Sequence, residues 1–276
     1  MTAVPVTGAD LLRDLSALGV DSGQTVLVHC SLSRIGRVAG GAATLVEVIR
    51  ALLGPAGTLV ALTSTADNSD TSPLYRQAVE GMSAEEVARY QAAMPAFDPA
   101  RTPSTGVGRV AEQVRLTPGA RRSAHPQTSF AAVGAQAGEL MAGHSPTCHY
   151  GEESPLARLY AADARVLLLG VGFDICTAFH LAEYRYSDSP PIRTYRCVVD
   201  FGYGRTWWEY QDMVLDDSDF AQLGADFEQA VTVSAGMVGN AESRFFAMPI
   251  AVDFATNWLL HRRNPNEIFL AGTPSD

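Results

Sequence analysis

Apolar residues along this chain recur in two rhythms. "TGADLLRDLSALGV" (7–20) spaces its leucines at helical intervals between Thr7 and Gly19, which predicts a helix with a threonine N-cap and a glycine stop. "TVLVHCSLS" (25–33) is apolar without interruption over strand length, the pattern of a strand covered on both faces. "AATLVEVIRALLG" (42–54) predicts a second helix and "GTLVALTST" (57–65) a second buried strand. Helix and strand taking turns in this way favour a parallel or mixed sheet with helices on both faces.

From about Asp67 to Pro103 the rhythm breaks into irregular chain, with one short polar helix at "SAEEVARYQAA" (83–93) and a Pro-rich loop. Long loops of this kind inside a domain are usually lids or binding loops. Periodicity then resumes with a helix in "GVGRVAEQVRLTPG" (106–119), a short strand at the end of "RRSAHPQTSFAAVG" (121–134), and helix, turn and strand in "SPLARLYAADARVLLLGVG" (154–172). "RTYRCVVDFGYGRTWWEYQDMV" (193–214) reads as a hairpin turning at "GYG", whose alternation sends Trp207 and Trp208 to opposite faces, one to the core and one to the surface. Two helices follow, "SDFAQLGADFEQA" (218–230) and "VDFATNWLLHRR" (252–263). No repeat or linker interrupts residues 1–276, so one domain is expected, with the irregular 67–103 segment as an insertion on its substrate side.

Composition narrows the chemistry. The net charge of −10 repels a nucleic-acid backbone and attracts a polycation. All 20 basic residues are arginine, and with no lysine a Schiff-base enzyme, a Walker A loop and a protein kinase are excluded. The four cysteines, Cys30, Cys148, Cys176 and Cys197, form no CxxC pair and are expected as buried free thiols. No run reaches membrane-spanning length and no basic n-region precedes an apolar stretch, so a cytoplasmic location with no membrane partner is expected.

Two places carry candidate chemistry. After the first strand, "HCSLSRIGRVAGGAATL" (29–45) sets glycines before a helix, where backbone N–H groups and the helix dipole suit a phosphate. Its Arg37-Val-Ala-Gly40-Gly41-Ala42 also fits the pyrophosphate string of the common acetyltransferase fold, by a short and loose match. After the strand at 165–169, "GFDICTAFHLAE" places His180 and Glu183 at i and i+3, with Thr177 one turn earlier and Asp174 positioned to cap the helix. A carboxylate beside an imidazole fixes its tautomer and suits a general base. "HSPTCHYGEE" (144–153) matches no zinc spacing, so its histidines are read as loop residues and no metal is expected. No G-x-S-x-G elbow is present to make a serine hydrolase.

Five separated blocks, "VLVHCSLSRIGRVAGGAATLVEVIRALLGPAGTLV", "FDPARTPSTGVGRVAEQVR", "GARRSAHPQTSFAAVG", "SPLARL" and "VLLLGVGFDICTAFHLAE", occur in the order typical of the aminoglycoside 3-N-acetyltransferase family. The chain resembles that family from about residue 8 to residue 263. The resemblance implies a three-layer α/β/α sandwich with a mixed, largely buried central sheet, distinct from the common acetyltransferase fold. It implies acetyl-CoA as co-substrate and the 3-amino group of a 2-deoxystreptamine aminoglycoside as acceptor, conferring antibiotic resistance. It further implies His180 as catalytic base with Glu183 beside it; Ser31, Leu32, Ser33, Val38, Gly40, Gly41, Thr105, Gly106 and Val107 along the cofactor; and backbone N–H groups near Ser31–Ser33 at the oxyanion. Asp67, Tyr75, Asp98 and Thr177 are the candidate substrate contacts, in a monomer or homodimer. The chain departs from the family at Cys30 and Cys176, where many members carry Ser and Asn, and it diverges around Asp216, Asp217 and Asp219. The competing readings are a related CoA-dependent N-acetyltransferase with another amine, a CoA-binding regulator without activity, and a serine hydrolase using Ser31 or Ser33.

Overall fold

A computed structural model describes residues 4–263. From the N-terminus, α1 (Gly8–Leu18) leads through β1 (Thr25–Cys30), a single turn α2 (Leu32–Ile35) and α3 (Gly41–Leu53) to β2 (Thr58–Leu62). The irregular middle holds α4 (Pro73–Ala78) and α5 (Ala84–Ala93), followed by α6 (Gly108–Leu116), β3 (Arg121–Arg122) and β4 (Phe130–Gly134). Then come α7 (Ala137–Met141), α8 (Pro155–Ala161), β5 (Arg165–Leu169) and α9 (Ala178–Glu183). A hairpin of β6 (Ile192–Val199) and β7 (Thr206–Met213) precedes α10 (Phe220–Ala230), β8 (Ser234–Val238), β9 (Ala241–Ala247) and α11 (Met248–Arg263).

Seven strands form one sheet in the order β3-β4-β2-β1-β5-β9-β8. β1 runs parallel to β2 and β5, whereas β4 and β9 are antiparallel to their inner neighbours, so the sheet is mixed. The uninterrupted apolar runs are explained by what covers them. Val26, Val28, Leu59, Ala61, Leu167 and Leu169 face one layer, packed with Leu11 and Leu15 of α1, Leu45 and Ile49 of α3, and Val110 and Val114 of α6. Leu27, Val60, Val166 and Leu168 point the other way, onto Leu156 of α8, Phe179 of α9, Phe227 of α10 and Val252 of α11. Two helical layers therefore enclose the sheet, as a three-layer α/β/α sandwich with a mixed sheet requires. α1 starts and stops as its sequence predicts: Thr7 and Asp10 make a reciprocal capping box and Gly19 ends the helix in the left-handed region at φ 109°.

Three differences from the sequence reading have local causes. The first strand ends at Cys30, and Leu32–Ile35 coil into a turn of helix instead of extending to Ser33. A β8–β9 hairpin follows α10 without a sequence signal: β8 is a mostly exposed edge strand made of "SAGMV", with no apolar alternation to read. Trp207 and Trp208 do face opposite sides of their hairpin, but neither side is open. Trp207 packs with Tyr75, Met94 and Val198, and Trp208 with Tyr195, Cys197 and Tyr210. The segment 67–103 is thereby fastened to the hairpin, with Arg205 Nε donating to the Met94 carbonyl at 2.6 Å and Asn68 Nδ2 to that of Val198 at 2.9 Å.

Among the described residues no helix is long and apolar enough to cross a membrane.

Close packing of α10 supports the loop after β5. A Cβ built on Gly224 meets Phe173 Cβ at 2.1 Å. Gly224→Ala is expected to lower stability by about 1–3 kcal/mol through overpacking. The denaturant midpoint checks it, and an unchanged midpoint refutes the contact.

Candidate active site

β1 and β5 are parallel neighbours, yet the chain leaves β1 towards β2 on one side and β5 lies on the other. The connections after their carboxyl ends diverge there, which opens a crevice at the topological switch point where α/β sheets bind ligands. A cleft of ≈ 930 Å³ occupies that place. Its walls come from His29–Ser33 and Gly36–Val38 after β1, Gly106–Ala111 at the start of α6, and Asp174, Ile175, Thr177 and His180 after β5.

His180 sits on α9, a helix of only six residues. Three contacts hold its ring. Nδ1 donates to Glu183 Oε2 at 2.5 Å. Tyr150 stacks on one face at 4.7 Å with only 6° between planes, and Phe220 lies at 4.9 Å. With Nδ1 occupied, Nε2 is the nitrogen left to the cleft that the ring lines. Glu183 is wholly buried behind it and takes no part in the cleft wall. A buried carboxylate needs partners, and Glu183 has them: Arg263 Nη1 donates to Oε1 at 2.7 Å, and the Asp216 backbone N–H at 3.0 Å. Arg263 also bonds Asp219, through Nε at 3.0 Å and Nη2 at 2.5 Å. Burial alone would lower the Arg263 pKa; its bonds to Asp219 and Glu183 outweigh that and raise it above the ordinary arginine value.

The residues expected along the cofactor gather in the same cleft. Ser31, Leu32, Ser33, Val38, Gly41, Gly106 and Val107 all line the cleft. Gly40 is the N-cap of α3 and Thr105 adjoins Gly106, so both stand at its edge. Gly40 and Gly41 adopt φ 78° and 67°, and a Cβ on Gly40 meets Thr44 Oγ1 at 2.2 Å, so the turn into α3 requires glycine there. Arg37 and Arg109 also line the cleft, supplying positive charge in a chain with none to spare. Glycine turns, two cationic side chains and the helix starts of α3 and α6, where the Gly41 N–H already donates to the Val38 carbonyl at 3.0 Å but the next turn's N–H groups lack helical partners, suit an elongated phosphorylated ligand. The Ser31 N–H, however, already donates to the Leu169 carbonyl at 2.9 Å, which removes it from the expected oxyanion donors.

The substrate candidates divide. Thr177 lines the cleft, and Asp67 bonds Thr105 on its rim. Tyr75 is buried beneath the hairpin with its hydroxyl accepting from Gln91 Nε2 at 2.7 Å, and Asp98 caps its own loop and pairs with Arg101, so neither lines the cleft. Asp174 does not cap α9; it belongs to a separate turn, Phe173–Ile175, and presents to the cleft instead. Sequence reasoning assigned no role in the cleft to His29, Tyr150 or Arg109, and left Asp217 undecided, although all four line it. Only Asp217 had a signal, its place in an acidic run. Cys30 is only partly buried, on the cleft wall, and that burial pushes its thiol up to about 12; Cys176 is fully buried and likewise raised to about 12. Neither supplies a thiolate near neutral pH.

The histidines of "HSPTCHYGEE" lie in loop chain, as their sequence suggests, and are buried there. His144 Nδ1 faces Ser123 Oγ at 2.9 Å, His149 Nδ1 donates to Asp212 Oδ2 at 2.5 Å, and His125 lies between them with centroids 4.9 and 4.7 Å away. Among the described residues no group of metal-ligating side chains is set to hold a metal ion. Burial lowers all three, His144 to about 4. An unfolded chain therefore takes up these protons first as pH falls from about 6.5, so folding stability declines below about pH 6.5, the His144 contribution being lost by about pH 4. For His144 alone the loss is ~3 kcal/mol. Urea midpoints at pH 7, 5.5 and 4.5 test this, and His144→Gln should flatten the slope; equal midpoints refute it.

Residues 27–260 match the family model described as aminoglycoside 3-N-acetyltransferase. The chain is 38% identical over 273 residues to aminoglycoside N(3)-acetyltransferase VIII of Streptomyces fradiae, covering 94% of this chain and 93% of that one. The crystal structure of the YokD protein from Bacillus subtilis superposes with a TM-score of 0.89 at 35% identity, over 96% and 97% of the two chains. The binary complex of AAC-IIIb with CoASH superposes with a TM-score of 0.80 at 29% identity, over 99% and 100%. The likeness spans both walls of the cleft and the strands between them, and this chain belongs to the aminoglycoside 3-N-acetyltransferase family, whose members are acyltransferases that use acetyl-CoA.

Proposed function

We propose that this protein transfers the acetyl group of acetyl-CoA to the 3-amino group of a 2-deoxystreptamine aminoglycoside, with His180 as general base. The observation that carries the reading is the His180–Glu183 pair, held on the wall of a cleft whose other wall is glycine-turned and cationic. Acetyl-CoA fits that second wall. Its pyrophosphate is assigned to the Gly40–Gly41 turn and the start of α3, with Arg37 and Arg109 available to its phosphates, and its thioester lies towards His180.

Nδ1–H held by Glu183 keeps the Nε2 lone pair free to take a proton from the attacking amine. The Glu183 carboxylate faces the charge that arrives on the ring, and Arg263 keeps that carboxylate in place. Asp174 and Asp217 line the cleft and are the carboxylates assigned to the ammonium groups of the acceptor; Thr177 beside His180 and Asp67 on the rim complete that side. The net charge of −10 steers a polycation to the protein. We assign the reaction to the cytoplasm, because acetyl-CoA is its co-substrate.

Incubation with acetyl-CoA and gentamicin, with product mass and the position of acetylation determined, tests the proposal. A singly acetylated product bearing the group on the 3-amino nitrogen is the expected result. Thiol release with other amines but with no aminoglycoside would replace the acceptor, and no thiol release with any amine would overturn the reading.

A further inference from the structure

His29 is the penultimate residue of β1, just before the Ser31–Ser33 loop, and the chemistry above gives it no task. Its side chain is only 8% exposed, yet it lines the same cleft as His180. Nε2 is closed off with no partner among the described residues; Nδ1 is not closed off in this way. Of the two neutral tautomers, one buries an unpaired N–H and the other only an unpaired lone pair. An orphaned donor is the rarer and costlier state, so the ring proton belongs on Nδ1. Burial first, and the nearness of His180 second, push the ring down to about 4, so it stays neutral when His180 takes up charge. A neutral imidazole N–H in a low-dielectric site is a suitable donor to an oxygen that is becoming negative.

We infer that His29 donates a hydrogen bond from its ring to the carbonyl oxygen of the bound acetyl thioester, acting as an oxyanion donor opposite His180. The inference rests on the acetyl-transfer reading. In the step it serves, the amine nitrogen bonds to the thioester carbon while the C–O electron pair moves onto oxygen, where the His29 N–H meets it. The amine proton passes to His180 Nε2. The carbonyl then re-forms, the C–S bond breaks with its electron pair leaving on sulfur, and the proton held by His180 is returned to that thiolate. The Ser31 N–H is already bonded to the Leu169 carbonyl, and His29 brings a ring donor to the same end of β1.

The test compares wild type with H29L, H29N and H29Q. Asparagine places its amide nitrogen where Nδ1 stood, and glutamine where Nε2 stood. Losing an oxyanion donor costs about 10²–10³-fold in kcat, so H29L should lose that much with both KM values little changed. H29N should recover at least about tenfold over H29L, and H29Q should not. The carbonyl stretch of bound [1-13C]acetyl-CoA, read without any amine, should lie at lower frequency in wild type than in H29L. H29L turnover within about threefold of wild type, or an unchanged carbonyl frequency, overturns the assignment. Should H29L not fold, H29N and H29Q of equal activity overturn it. Absence of wild-type turnover with intact acetyl-CoA binding would instead overturn the acceptor reading, and the carbonyl frequency would still judge His29.

Discussion

His180→Ala is expected to lower kcat by about 10²–10⁴-fold while acetyl-CoA binds with near-normal affinity. That is the range a positioned general base contributes. The ring lines the cleft with Tyr150 stacked on it and Phe220 beside it, so its loss removes the proposed proton acceptor while the Gly40–Gly41 turn stays in place. An interaction made only in the transition state lowers kcat and kcat/KM together, and this is the signature to look for in steady-state kinetics. Isothermal titration with acetyl-CoA provides the control. Turnover within about threefold of wild type would show that another group takes the proton. Glu183→Gln should fall between the two, since glutamine still occupies the site behind the ring but no longer meets its charge.

Arg263→Ala is expected to lower the free energy of unfolding by about 3–5 kcal/mol, the usual result of removing one member of a buried ion pair. Glu183 is completely shielded from solvent, and Arg263 is the cation on its second oxygen. Without it the carboxylate retains only the Asp216 N–H there, and Asp219 loses its partner as well. Against a typical total stability of ~5–15 kcal/mol this is a large fraction. Because the fault lies in a stranded charge, adding Glu183→Gln to Arg263→Ala should recover part of the loss, giving a coupling energy well above the ~0.5 kcal/mol expected of independent sites. Denaturant unfolding of the four proteins in the cycle measures it. Additive losses, or a single-mutant loss below about 1 kcal/mol, would mean that Arg263 is an exposed surface partner only.

How much of this was legible in advance depended on how far apart in sequence the partners lie. The capping box at Thr7 and Asp10 and the His180–Glu183 pair span three residues each, and local geometry decides them. The glycine turn before α3 was legible for the same reason. By contrast Arg263 lies 80 residues from Glu183 in the chain, and Tyr150 stacks on a ring thirty positions away. No periodicity carries such information. Tyr75 and Asp98 looked like cleft residues because they stand in an irregular, polar segment; the hairpin claims the first and a local turn the second.

The amino-acid sequence by itself determined the layering of this protein, because uninterrupted apolar strands between amphipathic helices have no other stable arrangement in water. It also determined the His180–Glu183 pair, since i and i+3 on one helix are neighbours wherever that helix is placed. Tertiary structure alone decided what surrounds the pair: parallel pairing of β1 with β5 brings His29, Asp174 and Asp217 to one cleft, and α11 brings Arg263 behind Glu183. Those groups meet only after long stretches of chain have been ordered by burial of their apolar neighbours, and no short-range rule in the sequence encodes where that burial will set them.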